Sequence, residues 1–227
     1  MFRRIKQNIK EKTGRAQKTP LPQDVEIGME NATQMRAFAE KFVKEVDALV
    51  GAWHSSGLTV QERIGEPCGV LAAKAPSGPF ADSMKALHDL HNDLGRIERR
   101  NYDEIQKRIV EDEFKHFLKH ESWQAIDACN LLKRKRLERD AIASELASKS
   151  TPKRQQRADA AEVEFQSGVE TARAEFQKLP EQQRQHMRAL KTLLGQLASH
   201  YAECHQAAKN TVELLAKYDA LPKKGEN

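Results

Sequence analysis

Glu113 and His116 stand three residues apart, the spacing of half a di-iron carboxylate bundle, which needs a second Glu-x-x-His on another helix. The chain has no second copy, so that chemistry is set aside. His116 with His120, and His88 with His91 beside Asp89 or Asp93, have spacings that could share a metal ion. With lysines and glutamates around them, ordinary exposed histidines are the expected reading, and neither a metal nor another cofactor is assigned. Cys204 is a lone nucleophile at a heptad position, where a small buried thiol is expected. No P-loop and no Gly-x-Ser-x-Gly occurs, so the chain is not expected to be an enzyme. Cys68, Cys129 and Cys204 are far apart and form no Cys-x-x-Cys pair, which argues against a zinc knuckle or disulfide framework and fits a reduced, cytosolic compartment.

The chemistry that does stand out is cationic. The net charge of +5 conceals two basic clusters. Residues 1–20 hold Arg3, Arg4, Lys6, Lys10, Lys12, Arg15 and Lys18 against Glu11 alone. Residues 133–157 hold Lys133, Arg134, Lys135, Arg136, Arg139, Lys149, Lys153, Arg154 and Arg157 against Glu138, Asp140 and Glu145. The remainder is net acidic, so the two patches point to a polyanionic partner. Nucleic acid competes for that role, since a basic helix could follow phosphates. No zinc finger or helix-turn-helix reader is present, and the aromatics fall on apolar seams rather than among the cations, so nucleic acid is not the expected partner. No run approaches 18 apolar residues and the N-terminus lacks the apolar core of a secretion signal, so any membrane would be met from its surface.

The elements that must position these charges are helices. With 31% charged and 39% hydrophobic residues and almost no alternating strand pattern, the sequence predicts an all-α protein. A first helix is expected over about 24–54, with Asp24 as its N-cap. Glycines and prolines then interrupt the pattern over about 55–79, an insert whose apolar content suits a partly ordered appendage. A second helix of unusual length is predicted over about 80–148, carrying core positions such as Phe114, Phe117, Trp123 and Leu132. Thr151 and Pro152 are suited to open a third as N-cap and first position, running to about 218 with a kink at Pro180. The second basic cluster therefore flanks an interhelical turn.

Within the third helix, Met187, Leu190, Leu194, Leu197, Tyr201, Cys204, Ala208, Thr211, Leu215 and Tyr218 step by three and four without a break. That seam must be covered along about 50 Å, at ~1.5 Å per residue, and Leu190, Leu194, Leu197 and Tyr201 are assigned to a dimer interface. Residues 1–22 form a basic N-terminal segment and spacer. Phe2, Ile5 and Ile9 at helical spacing, with cations around them, match a short amphipathic helix lying in an anionic headgroup layer. The alternatives are a disordered basic tail or a helix docked on the domain. Residues 221–227 are expected to be a disordered tail.

Three long helices, a basic helix-turn-helix tip, a proline bend and the N-terminal segment together resemble an N-BAR domain, with the endophilins as the nearest likeness. Gly14-Arg15-Ala16-Gln17-Lys18-Thr19 is similar to the segment after that family's N-terminal helix, and Leu132 to Ala141 resembles its charged run in helix two. Glu164-Phe165 matches an acidic residue followed by Phe in helix three, and Leu193-Leu194-Gly195-Gln196-Leu197 to His205 looks like its last stretch. The BAR domains of Rho-GAP proteins are a second likeness within the same superfamily.

The resemblance implies three long kinked helices per chain over 23–220, assembled as an antiparallel six-helix crescent homodimer with positive charge on its concave face and tips. The insert is shorter and less apolar than the endophilin one, and no SH3 domain follows Tyr218, so the sequence is either an excised domain or lacks that route to proline-rich partners. The expected function is a cytoplasmic, peripheral module that senses, stabilises or generates curvature on anionic phospholipid membranes. Phe2, Ile5 and Ile9 would insert, and Arg3, Arg4, Lys6, Lys10, Lys12, Lys133, Arg134, Lys135, Arg136, Arg139, Lys149, Lys153, Arg154 and Arg157 would contact headgroups. The rival reading is a dimeric helical scaffold that binds small GTPases or other proteins without bending membranes.

Overall fold

A computed structural model describes residues 5, 7–9, 11, 19–53 and 57–219. Among them there are helices and turns and no strand. The elements are α1 (Gln23–Gly51), α2 (Val60–Lys74), α3 (Pro79–Ile105), a π-helical stretch (Gln106–Lys115 and Phe117–Glu121), α4 (Ser122–Ser148), α5 (Pro152–Phe176) and α6 (Leu179–Asp219). Two compact units divide the chain, one made of residues 1–41 and 115–185, the other of 42–114 and 186–227.

In the first unit α4 lies against α5, with Leu132, Phe165, Val169 and Ala172 among its buried residues. Gly28 on α1 admits the Phe176 ring so closely that an added Cβ would lie 2.3 Å from it. Asp24 is not an N-cap. It sits inside the first turn, where the chain turns on Pro22 O, and its carboxylate takes Arg173 Nε at 2.7 Å. That hydrogen bond holds Asp24 below the usual carboxylate range. Trp123, expected in the core, is 55% exposed and carries the Arg36 guanidinium over its ring at 5.4 Å. The expected kink at Pro180 is a break: α5 ends at Phe176, Gln177 and Lys178 turn, and Pro180 enters the first turn of α6. There its missing N–H has no helical acceptor to lose.

In the second unit the 55–79 insert is mostly a helix. Thr59 caps α2 and Glu62 answers it, since Glu62 N donates to Thr59 Oγ1 and Thr59 N donates to Glu62 Oε2. Arg99 on α3 clasps the same carboxylate and, as the main cause, keeps it ionised below its ordinary range. The glycines that looked like helix breakers are where α2 meets α3. A Cβ on Gly65 would come within 2.8 Å of His91 Cβ, and one on Gly95 within 2.7 Å of Thr59 Oγ1 and Glu62 Cγ. His88 and His91 use their Nδ1 atoms on Gly65 O and Gln61 Oε1, both at 3.0 Å, so these two histidines fasten α2 to α3. Pro67 is accommodated inside α2.

The π-helical stretch places Ile105 and Val110, and Ile109 and Phe114, five residues apart on a buried face. Phe114 meets Phe42 at 4.4 Å and His186 at 4.7 Å between ring centroids, and Trp53 stacks on His200 at 4.2 Å. Burial pushes the His186 imidazole down to about 4 and lowers that of His200 as well.

Candidate functional site

The cationic cluster of α4 is divided between exposed and buried positions. Lys133 and Arg134 are exposed, whereas Arg136 is buried and cannot be the surface contact expected of it. Its guanidinium donates to Glu11 Oε2 at 2.9 Å and Asp140 Oδ2 at 3.1 Å, and all three side chains are less than a tenth exposed. Burying an arginine is costly without hydrogen-bonded partners, and two carboxylates provide them. Arg139 is likewise engaged. It ion-pairs with Glu162, donates to Thr19 Oγ1 at 2.7 Å and lies over the Phe165 ring at 5.2 Å. Hydrogen bonds from Gln166 and then Arg139 hold the Glu162 carboxyl below its ordinary range. Lys135 is half-buried and pairs with Glu164 at 3.0 Å.

Past the end of α4 the cations have a different setting. Thr151, in extended backbone conformation, accepts Arg154 N at 3.3 Å and Pro152 takes the first position of α5. Residues 149–157 contain Lys149, Lys153, Arg154 and Arg157 and no acid. Lys149 and Lys153 are exposed, and Arg154 is held over the turn by Glu145 O at 3.1 Å and Lys149 O at 2.9 Å. Arg157 joins Arg134 and Lys135 around a groove of about 440 Å³ between α4 and α5, floored by Leu131 and Ile142 and edged by Glu138. The arrangement is an outward-facing cationic turn on a helix pair whose inward cations are neutralised, suited to a polyanionic surface.

At the N-terminus, Ile5, Gln7, Asn8, Ile9 and Glu11 are helical. Gln7 is buried and donates through Nε2 to Glu11 Oε1 at 3.0 Å, and Glu11 in turn takes Arg136, so these polar side chains face the helix pair. Ile5 and Ile9 are 51% and 58% exposed. Phe2, Arg3, Arg4, Lys6, Lys10 and Lys12 lie outside the described residues. The sequence reading missed Glu11, Thr19 and Asp140 as the groups that answer the inward cations. The one local signal was Asp140 four residues after Arg136, a spacing that pairs side chains on a helix.

On α6 the heptad seam splits into two stripes. His186, Leu193 and His200 are buried, while Met187, Leu194 and Tyr201, also seven apart, are 65%, 67% and 60% exposed. Leu190 and Leu197 lie half-buried between them. Among the described residues no helix is long and apolar enough to cross a membrane, and no group of three or more His, Cys, Asp or Glu converges on a common point.

Comparison with known proteins places this geometry in a family. Residues 1–217 match the family model of the BAR domain. Among solved structures, the N-terminal I-BAR domain of D. discoideum IBARa matches with 13% sequence identity and a TM-score of 0.47, covering 89% of this chain and 94% of that one. No curated protein matches the chain. With nearly its whole length matched by the family model, the chain belongs to the BAR domain family.

Proposed function

We propose that this BAR domain is a peripheral module of cytosolic membrane faces that works as a homodimer, binding anionic phospholipids through its α4–α5 turn and bending or sensing the bilayer. BAR domains are structural scaffolds that typically dimerise, bind membranes and sense or generate curvature. The observation that carries the reading for this chain is the acid-free run 149–157 with Lys149 and Lys153 exposed, continued by exposed Lys133 and Arg134. Each such cation contributes on the order of 1 kcal/mol near an anionic surface, so several must act together. A second copy doubles their number at a fixed spacing, and avidity then favours a surface of matching curvature.

Two further features support the reading. Met187, Leu194 and Tyr201 form an exposed stripe at heptad spacing, a surface suited to a second copy, with Leu190 and Leu197 beside it. Ile5 and Ile9 are exposed on a segment whose Gln7 and Glu11 side chains face the helix pair, which supports the N-BAR subtype, in which such residues enter one leaflet. Apolar burial there contributes roughly 25 cal/mol per Å². The headgroup contacts we assign are Lys133, Arg134, Lys149, Lys153, Arg154 and Arg157, without the internally paired Arg136 and Arg139. Replacing Lys149, Lys153, Arg154 and Arg157 together by Glu abolishes co-sedimentation with anionic liposomes and leaves the dimer intact. Unchanged co-sedimentation at moderate salt sinks the assignment.

A further inference from the structure

The α4–α5 turn carries a second pattern superimposed on its charge. Thr151 is followed by Pro152 and, two and three positions on, by Lys153 and Arg154. A hydroxyl before proline with a cation three positions beyond is what a proline-directed protein kinase reads. The proline restricts the backbone and offers no N–H, and the cation meets acidic groups of the kinase. Ser148, Lys149 and Ser150 before it are exposed, and Lys149 and Thr151 are both in extended backbone conformation, the form in which a peptide enters a cleft. The first turn of α5 contains Lys153 and Arg154 and no acidic residue. Cations there oppose the positive end of the helix dipole, so the turn that must open for a kinase is the electrostatically weakened one.

We propose that Thr151 is a phosphorylation site and that its modification turns the cationic turn off, a proposal that rests on the membrane reading above. In the transfer, Thr151 Oγ1 bonds to the γ-phosphorus of a nucleoside triphosphate and the bond from that phosphorus to the departing diphosphate breaks. The hydroxyl proton leaves through the kinase's base. The product carries a charge of about −1.5 to −2 amid Lys149, Lys153, Arg154 and Arg157, so it cancels up to about half of the local positive charge. It also sits before the first turn of α5, where a negative group stabilises the helix, so the modified turn stays folded.

The other Thr-Pro pair supplies an internal contrast. Thr19-Pro20 is followed by Leu21 and Pro22 rather than cations, and the Thr19 hydroxyl is already engaged by Asp140 and Arg139. The same kinase should leave it unmodified.

The full chain is incubated with a proline-directed kinase selective for a basic residue at the third position and Mg-ATP, then assayed by intact mass, peptide mapping and co-sedimentation with phosphatidylcholine–phosphatidylserine vesicles. One phosphate per chain at Thr151 is expected, with at least about a tenfold loss of vesicle affinity for the loss of two effective charges. Thr151→Asn, which keeps an N-cap oxygen but has no hydroxyl, should take up no phosphate and bind as the unmodified chain does. Phosphate at Thr19 or elsewhere, or none, overturns the site. Phosphate at Thr151 with unchanged affinity overturns the switch. Failure of the unmodified chain to bind these vesicles overturns the membrane reading and the switch with it, while the mass data still decide the site.

Discussion

Replacing Arg136 by Met separates a headgroup role from a structural one. A guanidinium that served the membrane would be lost with little effect on folding, but here its side chain is 8% exposed and joins Glu11 at 2.9 Å to Asp140 at 3.1 Å. Removing one member of a buried pair costs roughly 3–5 kcal/mol because the remaining charge is left without its partner. Among the described residues Glu11 would keep the Gln7 amide, while Asp140 would retain Thr19 and Arg139, so the lower end of that range applies. For a chain of this length each kcal/mol moves the thermal midpoint by about 2–4 °C, so a fall of about 6–12 °C is expected in a calorimetric or circular-dichroism melt. Glu11→Gln in the Arg136→Met background should restore part of the loss, giving a favourable coupling in the double-mutant cycle. Lys133→Met, an exposed change on the same run, should stay within about 0.5 kcal/mol of the wild type. An Arg136→Met protein that melts within about 1 °C of the wild type yet binds anionic liposomes weakly would refute the structural assignment.

Two further outcomes follow from the second unit. Leu194→Asp places a charge in the middle of the exposed α6 stripe and should convert the proposed homodimer to monomer in sedimentation equilibrium with its helicity retained; a persisting dimer would remove that stripe from the interface. His186 has a folded value of about 4 against 6.5 in the unfolded chain, so its neutral form contributes stability fully above about pH 6.5, and this is lost as pH falls from there towards 4. The upper limit is on the order of 3 kcal/mol, to be read as a lower thermal midpoint at pH 5 than at pH 7, and His186→Phe should reduce the difference.

Much of the architecture was legible because helical periodicity is a local property. The α5 boundary at Thr151-Pro152 and the long helical run that follows the insert can be read from short windows of sequence. The α2 helix could not be read that way, because Gly65 and Gly69 lower helix propensity and Pro67 interrupts the ladder. Their compensation is the close approach of α3, with His88, His91 and Arg99 as partners 23 to 37 residues away in the chain. The seam on α6 was legible in period but not in its facing, since both the buried His186, Leu193 and His200 and the exposed Met187, Leu194 and Tyr201 repeat at seven. Two histidines in the core stripe carried no apolar signal; ring contacts with Phe114 and Trp53 put them there.

The basic clusters show the same limit for charge. A count of cations treats Lys133 to Arg139 as one patch, but a helix turns successive side chains by about 100°, so Arg136 and Asp140 share a face that Arg134 leaves, while Lys133, on the same side one turn earlier, is exposed by its position along the helix. Once that face is buried, its cations need carboxylates, and one of them, Glu11, is the single acid of the N-terminal basic segment. The Glu11–Arg136 pair therefore does two things. It neutralises the inward side of α4, and it ties Glu11, to which the Gln7 amide is hydrogen-bonded, to that helix. Ile5 and Ile9 are 51% and 58% exposed, so their side chains are open to an apolar partner. In the proposed insertion, Ile5 and Ile9 would be the residues that enter the leaflet, next to a Glu11 already tied to α4 by its ion pair.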